Sequence, residues 1–418
     1  MSHATTTNIE VPRVAESARG RGTMIMIAGA VLTGLAVILG FTKGDHFRHF
    51  SFAYLVGASW VLALGLGGLF FCVLQHLTKA GWSVAVRRIA EMAAASLKLS
   101  AVLFLPLLLP AVMGYSELWW WLDHAAAHKD HLVHAKTGFL NPPFFIVRAV
   151  IYFTVWILMA RFFVKNSLEQ DETGDPALTT KMQTASGPLM VVFALTTTFA
   201  AFDFLMSLDP HWFSTIFGVY FFAGCALSLF SLIALSVCLM RAKLPGYAKL
   251  VTPEHTHDVG KFMFGFTFFW GYIAFSQYML IWYANVPEET IWFEHRGANT
   301  DFTNAWTPWT LVLLFGHFLI PFPGLLSRHV KRNPKVLATW ACWILVMQLL
   351  DMFWLIRPEM RGHGGHGEMH VDFHPLDIVT PVGLILIAAG YWLRWIAGRP
   401  ALPQKDPRLG ESLALVNQ

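Results

Sequence analysis

The sequence predicts an all-α integral membrane protein with about ten transmembrane helices, and three observations carry this expectation. Of 418 residues, 55% are hydrophobic and 13% charged, about half the charged share of an ordinary soluble domain. The apolar residues fall in long runs, each near the roughly 20 residues that a helix needs to cross a hydrocarbon core. Lys and Arg alternate between rich and poor segments from one run to the next.

Ten runs qualify: Thr23–Phe41, Phe52–His76, Met92–Met113, Phe144–Val164, Gly187–Ser207, Trp212–Met240, Phe262–Tyr283, Thr307–Leu326, Val336–Ile356 and Ile378–Ile396. Backbone groups in lipid must be satisfied within the segment, and the runs lack the apolar–polar alternation of a barrel, so they read as helices. With the N-terminus inside, every inner segment carries at least three Lys or Arg and no outer segment more than two. That bias predicts cytoplasmic N- and C-termini. Tails at 1–22 and 397–418 would flank the membrane region. The first tail is polar and Arg-containing, unlike a cleaved secretory signal.

Spans 2–5 (52–207) and 6–9 (212–356) read as two copies of one four-helix unit, with spans 1 (23–41) and 10 (378–396) outside them. The markers are His49-Phe50 and His211-Trp212, Glu117/Trp119 and Glu289/Trp292, Phe139-x-Asn141 and Phe302-x-Asn304, and Asp203 and Asp351, each seven residues before a proline. An even number of helices per copy makes them parallel repeats.

Ionisable groups inside spans are functional candidates because lipid disfavours them. Those on the inner side are His76, Glu91 and Lys98, with His317 near the middle and Arg148, Asp203 and Asp351 on the outer side. Glu91 and Lys98, seven residues apart, share one helix face two turns from each other. They read either as a proton entry or as Glu91 paired with Arg87 or Arg88 and a snorkelling Lys98. Asp203 has Arg148 at its own depth and reads as a structural ion pair, a proton relay, or both. The matching position in the second copy is Leu311, so Asp351 is expected without a cation and is the better exchangeable proton site. His317 lacks a partner histidine at its depth for a haem and reads as a hydrogen-bonded or relay residue. His124, His128, His131 and His134 read as a solvated outer loop before a zinc site, and His363-Gly-Gly-His366 is weaker still.

Cys72, Cys225, Cys238 and Cys342 each lie in an apolar run, and no C-x-x-C occurs. No disulfide framework, iron–sulfur ligation or c-type haem attachment is indicated. Nucleotide-binding and protease motifs are absent from the sequence. Its basic residues form no continuous face for nucleic acid.

The stretch Asp203-Phe-Leu-Met-Ser-Leu-Asp-Pro-His-Trp-Phe-Ser-Thr-Ile-Phe-Gly218 resembles the loop joining spans 5 and 6 in the F subunit of bacterial alternative complex III. Gly260-Lys-Phe-Met-Phe-Gly265, Gln277-Tyr-Met-Leu-Ile-Trp-Tyr-Ala-Asn285, Pro287-Glu-Glu-Thr290 and Gly316-His317-Phe-Leu-Ile-Pro-Phe322 resemble the same family. The resemblance extends over nearly the whole chain. It implies a fold like the membrane anchors of polysulfide reductases, with two four-helix bundles. It also implies a place in the bacterial inner membrane, within a complex that passes electrons from quinol to a cytochrome c or an oxidase. The implied partners are multihaem cytochromes, an iron–sulfur subunit, a homologous quinol-binding membrane subunit and a terminal oxidase. Haem c, iron–sulfur clusters and the quinone would belong to those partners; this chain would bind no cofactor and is the family's candidate for proton translocation. The competing expectation is a standalone secondary transporter.

Overall fold

The computed structural model describes residues 10–298, 304–360 and 371–416. Phe302 and the His363–His366 run lie outside them. The long helices are α1 (Ser17–Lys43), α2 (Arg48–Leu77), α3 (Val84–Ala95), α4 (Leu97–Val112), α5 (Pro142–Thr173), α6 (Pro176–Phe204), α7 (Phe217–Lys243) and α8 (Pro253–Ala284). After a broken segment beginning with α9 (Thr307–Leu313) come α10 (Pro334–Ile356) and α11 (Leu376–Ile396). No strand occurs among the described residues.

Local chemistry fixes where several helices begin. Asn141, Asp175 and Asn333 each cap a helix through the side chain, and a proline follows as the first helical residue. The missing proline N–H is one that a first turn leaves unpaired in any case. Thr252 and His255 close a reciprocal capping box at α8.

Among the described residues, eight helices are long and apolar enough to cross a membrane, which makes the chain a multi-pass membrane protein. Eight of the ten expected spans are among them, α3 and α4 counting as one. The exceptions have separate physical reasons. Helix α8 has 32 residues, ample for a crossing, but its run is built on Phe, Trp and Tyr with Gln277 and is less apolar than aliphatic spans. The segment 307–324 is broken: α9 gives way to a π-helical turn at Leu314–Leu319, then to a short helix at Pro321–Gly324.

Both of these elements nevertheless pack antiparallel to their neighbours. Phe230 stacks on Phe262 and Phe222 meets Phe269, so α8 descends beside α7. Phe264 stacks on Phe322 and Trp270 meets His317, so the broken segment ascends beside α8. Trp354 donates to Thr310 and Trp343 to the Gly316 carbonyl, which sets α10 antiparallel to it. The elements from α2 to α6 alternate likewise: Glu91 meets Ser167, Phe104 meets Phe153 and Trp156 meets Thr196.

Helix α2 is buried along its whole length, and its sequence is apolar all round, as a central helix requires. It meets α7 so closely that a Cβ on Gly67 would lie 2.3 Å from the Cys225 carbonyl oxygen. Helix α1 packs mainly on α11, meets α2 near its C-terminal end, and presents Met24, Ile27, Val31, Leu35 and Ile38 outward. The α1–α11 contact depends on glycine, since a Cβ on Gly29 would stand 2.6 Å from the Gly383 carbonyl oxygen, whereas Gly34 has nothing within 4 Å. Gly29→Leu is therefore expected to cost about 1–3 kcal/mol through overpacking, and Gly34→Leu almost nothing. Thermal unfolding of the two variants in detergent checks this, and equal midpoints would show that the close approach is not needed.

The terminal segments meet at one end of the bundle. Val14 N–H donates to the Arg399 carbonyl and Gly398 N–H to that of Val14. Residues 14 and 398–399 lying together at one end require an even number of crossings between them. The region after α11 is not a free tail, because Ala401, Leu402 and Leu409 are buried.

Candidate functional site

Asp351 sits near the end of α10, 1% exposed. The Tyr220 hydroxyl on α7 donates to one carboxylate oxygen. Trp270 Nε1 on α8 and Gln348 Nε2 on α10 approach the other, each at 3.3 Å. All three partners are neutral. The Trp270 ring also lies against His317, tilted to it, with ring centroids 4.0 Å apart. His317 lies in the π-helical turn, fully buried, and neither ring nitrogen has a hydrogen-bond partner among the described residues. Isolated π turns inside helices occur often at functional sites. A carboxyl, two hydrogen-bonding aromatics and an imidazole thus converge from α7, α8, the broken segment and α10.

Asp203, at the end of α6, is fully buried in a different setting. Arg148 on α5 binds both its oxygens through Nε and Nη2, each at 2.8 Å, and the Tyr152 hydroxyl donates at 2.7 Å. The guanidinium also donates to the Phe139 carbonyl and lies over the rings of Phe139 and Phe144. The bidentate fork is the strongest geometry for this pair. Among the described residues the two aspartates differ: Asp203 is bound to a cation and Asp351 is not.

The inner candidates do not form one face. Helix α3 ends at Ala95 and α4 begins at Leu97, with Ser96 between them and its hydroxyl donating to the Ala93 carbonyl. The break separates a buried Glu91 from an exposed Lys98, which corrects the shared-face expectation. Glu91 accepts from Arg87 Nε at 3.3 Å, Arg88 Nη1 at 2.6 Å and Ser167 at 2.6 Å. Arg87 reaches on to Asp406 and Arg88 to Asp171. Glu91 is thus the hub of a buried network. His76, also buried, stacks on Phe163.

Several buried ionic groups read as loop charges from the sequence. Arg357 binds both oxygens of Asp377, which also meets His49. Arg296, 1% exposed, pairs with Glu359 at 2.8 Å and lies over Trp292. His211 Nε2 meets Asp130 at 2.6 Å and Nδ1 lies 3.6 Å from Asp209, clasping the loop before α5 to the loop after α6. The His128 and His134 rings meet at a tilt in one of these loops; the side chain of His124 lies outside the described set.

The clasp carries a pH expectation. Hydrogen bonding to Asp209 and Asp130, against partial desolvation, pushes His211 up from 6.5 to about 9. Both carboxyls are held below their usual range by His211, against burial. A raised histidine contributes stability fully below its unfolded pKa of 6.5, and that contribution is lost as pH rises through about 9. The contribution of the depressed carboxyls is lost instead as pH falls through their folded values. Protease nicking of the 123–137 loop is therefore expected to increase above pH 9, and His211→Gln should nick readily at all pH values. A flat profile in the unmodified protein would contradict the clasp.

The fold and site define an all-α, multi-pass membrane protein with a buried carboxyl–aromatic–imidazole cluster. The chain matches no family model and no curated protein.

Proposed function

We propose that this chain is an integral subunit of a quinol-oxidising respiratory complex of the alternative complex III type, and that it holds an exchangeable proton on Asp351. The observation that carries the proton role is a carboxyl buried among neutral partners only, beside a buried imidazole. A lone carboxyl of this kind can exchange a proton without breaking an ion pair, which Asp203 cannot. The resemblance of the Asp203–Gly218 and Gly260–Asn285 stretches to the F subunit supplies the setting.

In this reading the chain crosses the bacterial inner membrane ten times, with α8 and the 307–324 segment as crossings 7 and 8 and both termini cytoplasmic. The units at 52–207 and 212–356 are parallel repeats. The electrons stay in partner subunits that carry haem c and iron–sulfur clusters, and quinol is oxidised in the complex and not on this chain. A transporter would favour broken helices at matching places in both repeats. Here the breaks fall in the second element of one unit and the third of the other, which speaks for the redox complex.

A tagged copy purified from its native membrane is expected to bring down haem-bearing and iron–sulfur subunits together with quinol oxidation. Once separated from them it should show no haem spectrum. Recovery as a sole polypeptide, or stoichiometric haem on the separated chain, would overturn the reading.

A further inference from the structure

A cleft of about 620 Å³ opens between α3–α4, α5 and α11, at the end of the bundle where the terminal segments pair. Four cations line it: Lys98, Arg161, Lys165 and Arg399. They come from α4 (Lys98), from α5 (Arg161 and Lys165) and from the turn after α11 (Arg399), so the cluster is made by the fold. None of the four has a carboxylate within ion-pairing distance among the described residues, although Glu169 and Glu172 also line the cleft. The wall thus keeps a surplus of two positive charges. Arg399 lies over the Trp395 ring at 4.3 Å. Burial, and then the charges of Arg88 and Arg19, push Arg399 below its ordinary range, so an added anion there would be favoured.

Two apolar lanes lead away from the cations toward the other end of the bundle. On α4, Lys98 is followed at helical spacing by exposed Val102, Leu105 and Leu109. On α5, which runs the opposite way, Arg161 is preceded by exposed Leu158, Ile151 and Val147. The two helices are neighbours, as the Phe104–Phe153 contact shows. A charged floor with two adjacent apolar lanes on one side is the outline of a diacyl lipid. A soluble anion would have no use for the lanes.

We propose that this cleft binds one anionic glycerophospholipid, its phosphate held by Lys98, Arg161, Lys165 and Arg399 and its acyl chains lying along α4 and α5. Trp395 and Tyr391, whose ring and hydroxyl suit the headgroup depth, bound the glycerol region. Basic recesses between helix ends are a known way for membrane proteins to hold such headgroups. The proposal stands on the multi-pass fold alone and is independent of the complex suggested above.

The test is native mass spectrometry of the full chain after detergent exchange into an equal mixture of phosphatidylglycerol and phosphatidylcholine. One phosphatidylglycerol is expected to be retained several-fold over phosphatidylcholine. The double variant Lys98→Gln, Arg161→Gln should lose that preference, and Lys98→Arg, Arg161→Lys should keep it. Millimolar inorganic phosphate should not displace the lipid. Equal retention of the two lipids, unchanged retention by the charge-removing variant, or displacement by phosphate would each overturn the proposal. Thermal midpoints of both double variants, expected to stay close to the unmodified chain, show that a loss of binding is not a loss of fold.

Discussion

Asp203→Asn is expected to destabilise the chain by about 3–5 kcal/mol, the cost of leaving a buried guanidinium without its carboxylate. Arg148 is 6% exposed and is tied at once to both Asp203 oxygens and the Phe139 carbonyl. Asparagine keeps the shape and the Tyr152 contact but removes the charge. The loop end of α6 then loses its tie to α5. Replacing both members with apolar residues, Arg148→Met with Asp203→Leu, should recover most of the loss, because the desolvation cost disappears with the charges. Unfolding midpoints in detergent decide the matter. An Asp203→Asn midpoint equal to that of the unmodified protein would show that the pair is not structural.

Arg88→Met is expected to be comparably severe, at about 3–5 kcal/mol. The inner network sets two guanidiniums, Arg87 and Arg88, among three carboxylates, Glu91, Asp171 and Asp406. Removing Arg88 leaves three carboxylates around one cation in a buried site. Glu91→Gln is the informative contrast, since it leaves two matched pairs, Arg87–Asp406 and Arg88–Asp171. Its cost should be nearer that of a buried hydrogen bond to a charged group, about 1.5–3 kcal/mol. If Glu91→Gln preserves stability fully yet lowers proton movement, Glu91 is a proton entry after all, and the structural account of it fails.

Much of the fold was legible because apolar run length and Lys/Arg bias are properties of each segment taken alone. The Asp203–Arg148 pair was legible for a related reason: both residues lie inside runs, at depths that can be counted. Long-range pairs of loop charges were not. His49 and Arg357 meet at Asp377 from positions some three hundred residues apart, and nothing local marks them as buried. Tyr220 and Trp270 escaped notice because the chain is so aromatic; the signal available was a polar-tipped ring at the depth of Asp351. The Glu91–Lys98 face failed because seven-residue spacing keeps a face only on an unbroken helix, and Ser96 breaks this one.

The central claim is that Asp351 carries a proton that moves during turnover. The purified complex, reconstituted in sealed vesicles and driven by quinol, allows protons moved per electron to be measured alongside quinol oxidation. Asp351→Asn is expected to leave subunit composition intact and to lower the proton-to-electron ratio, while Asp351→Glu restores part of it. An unchanged ratio in Asp351→Asn, in vesicles where the unmodified complex pumps, would contradict the account.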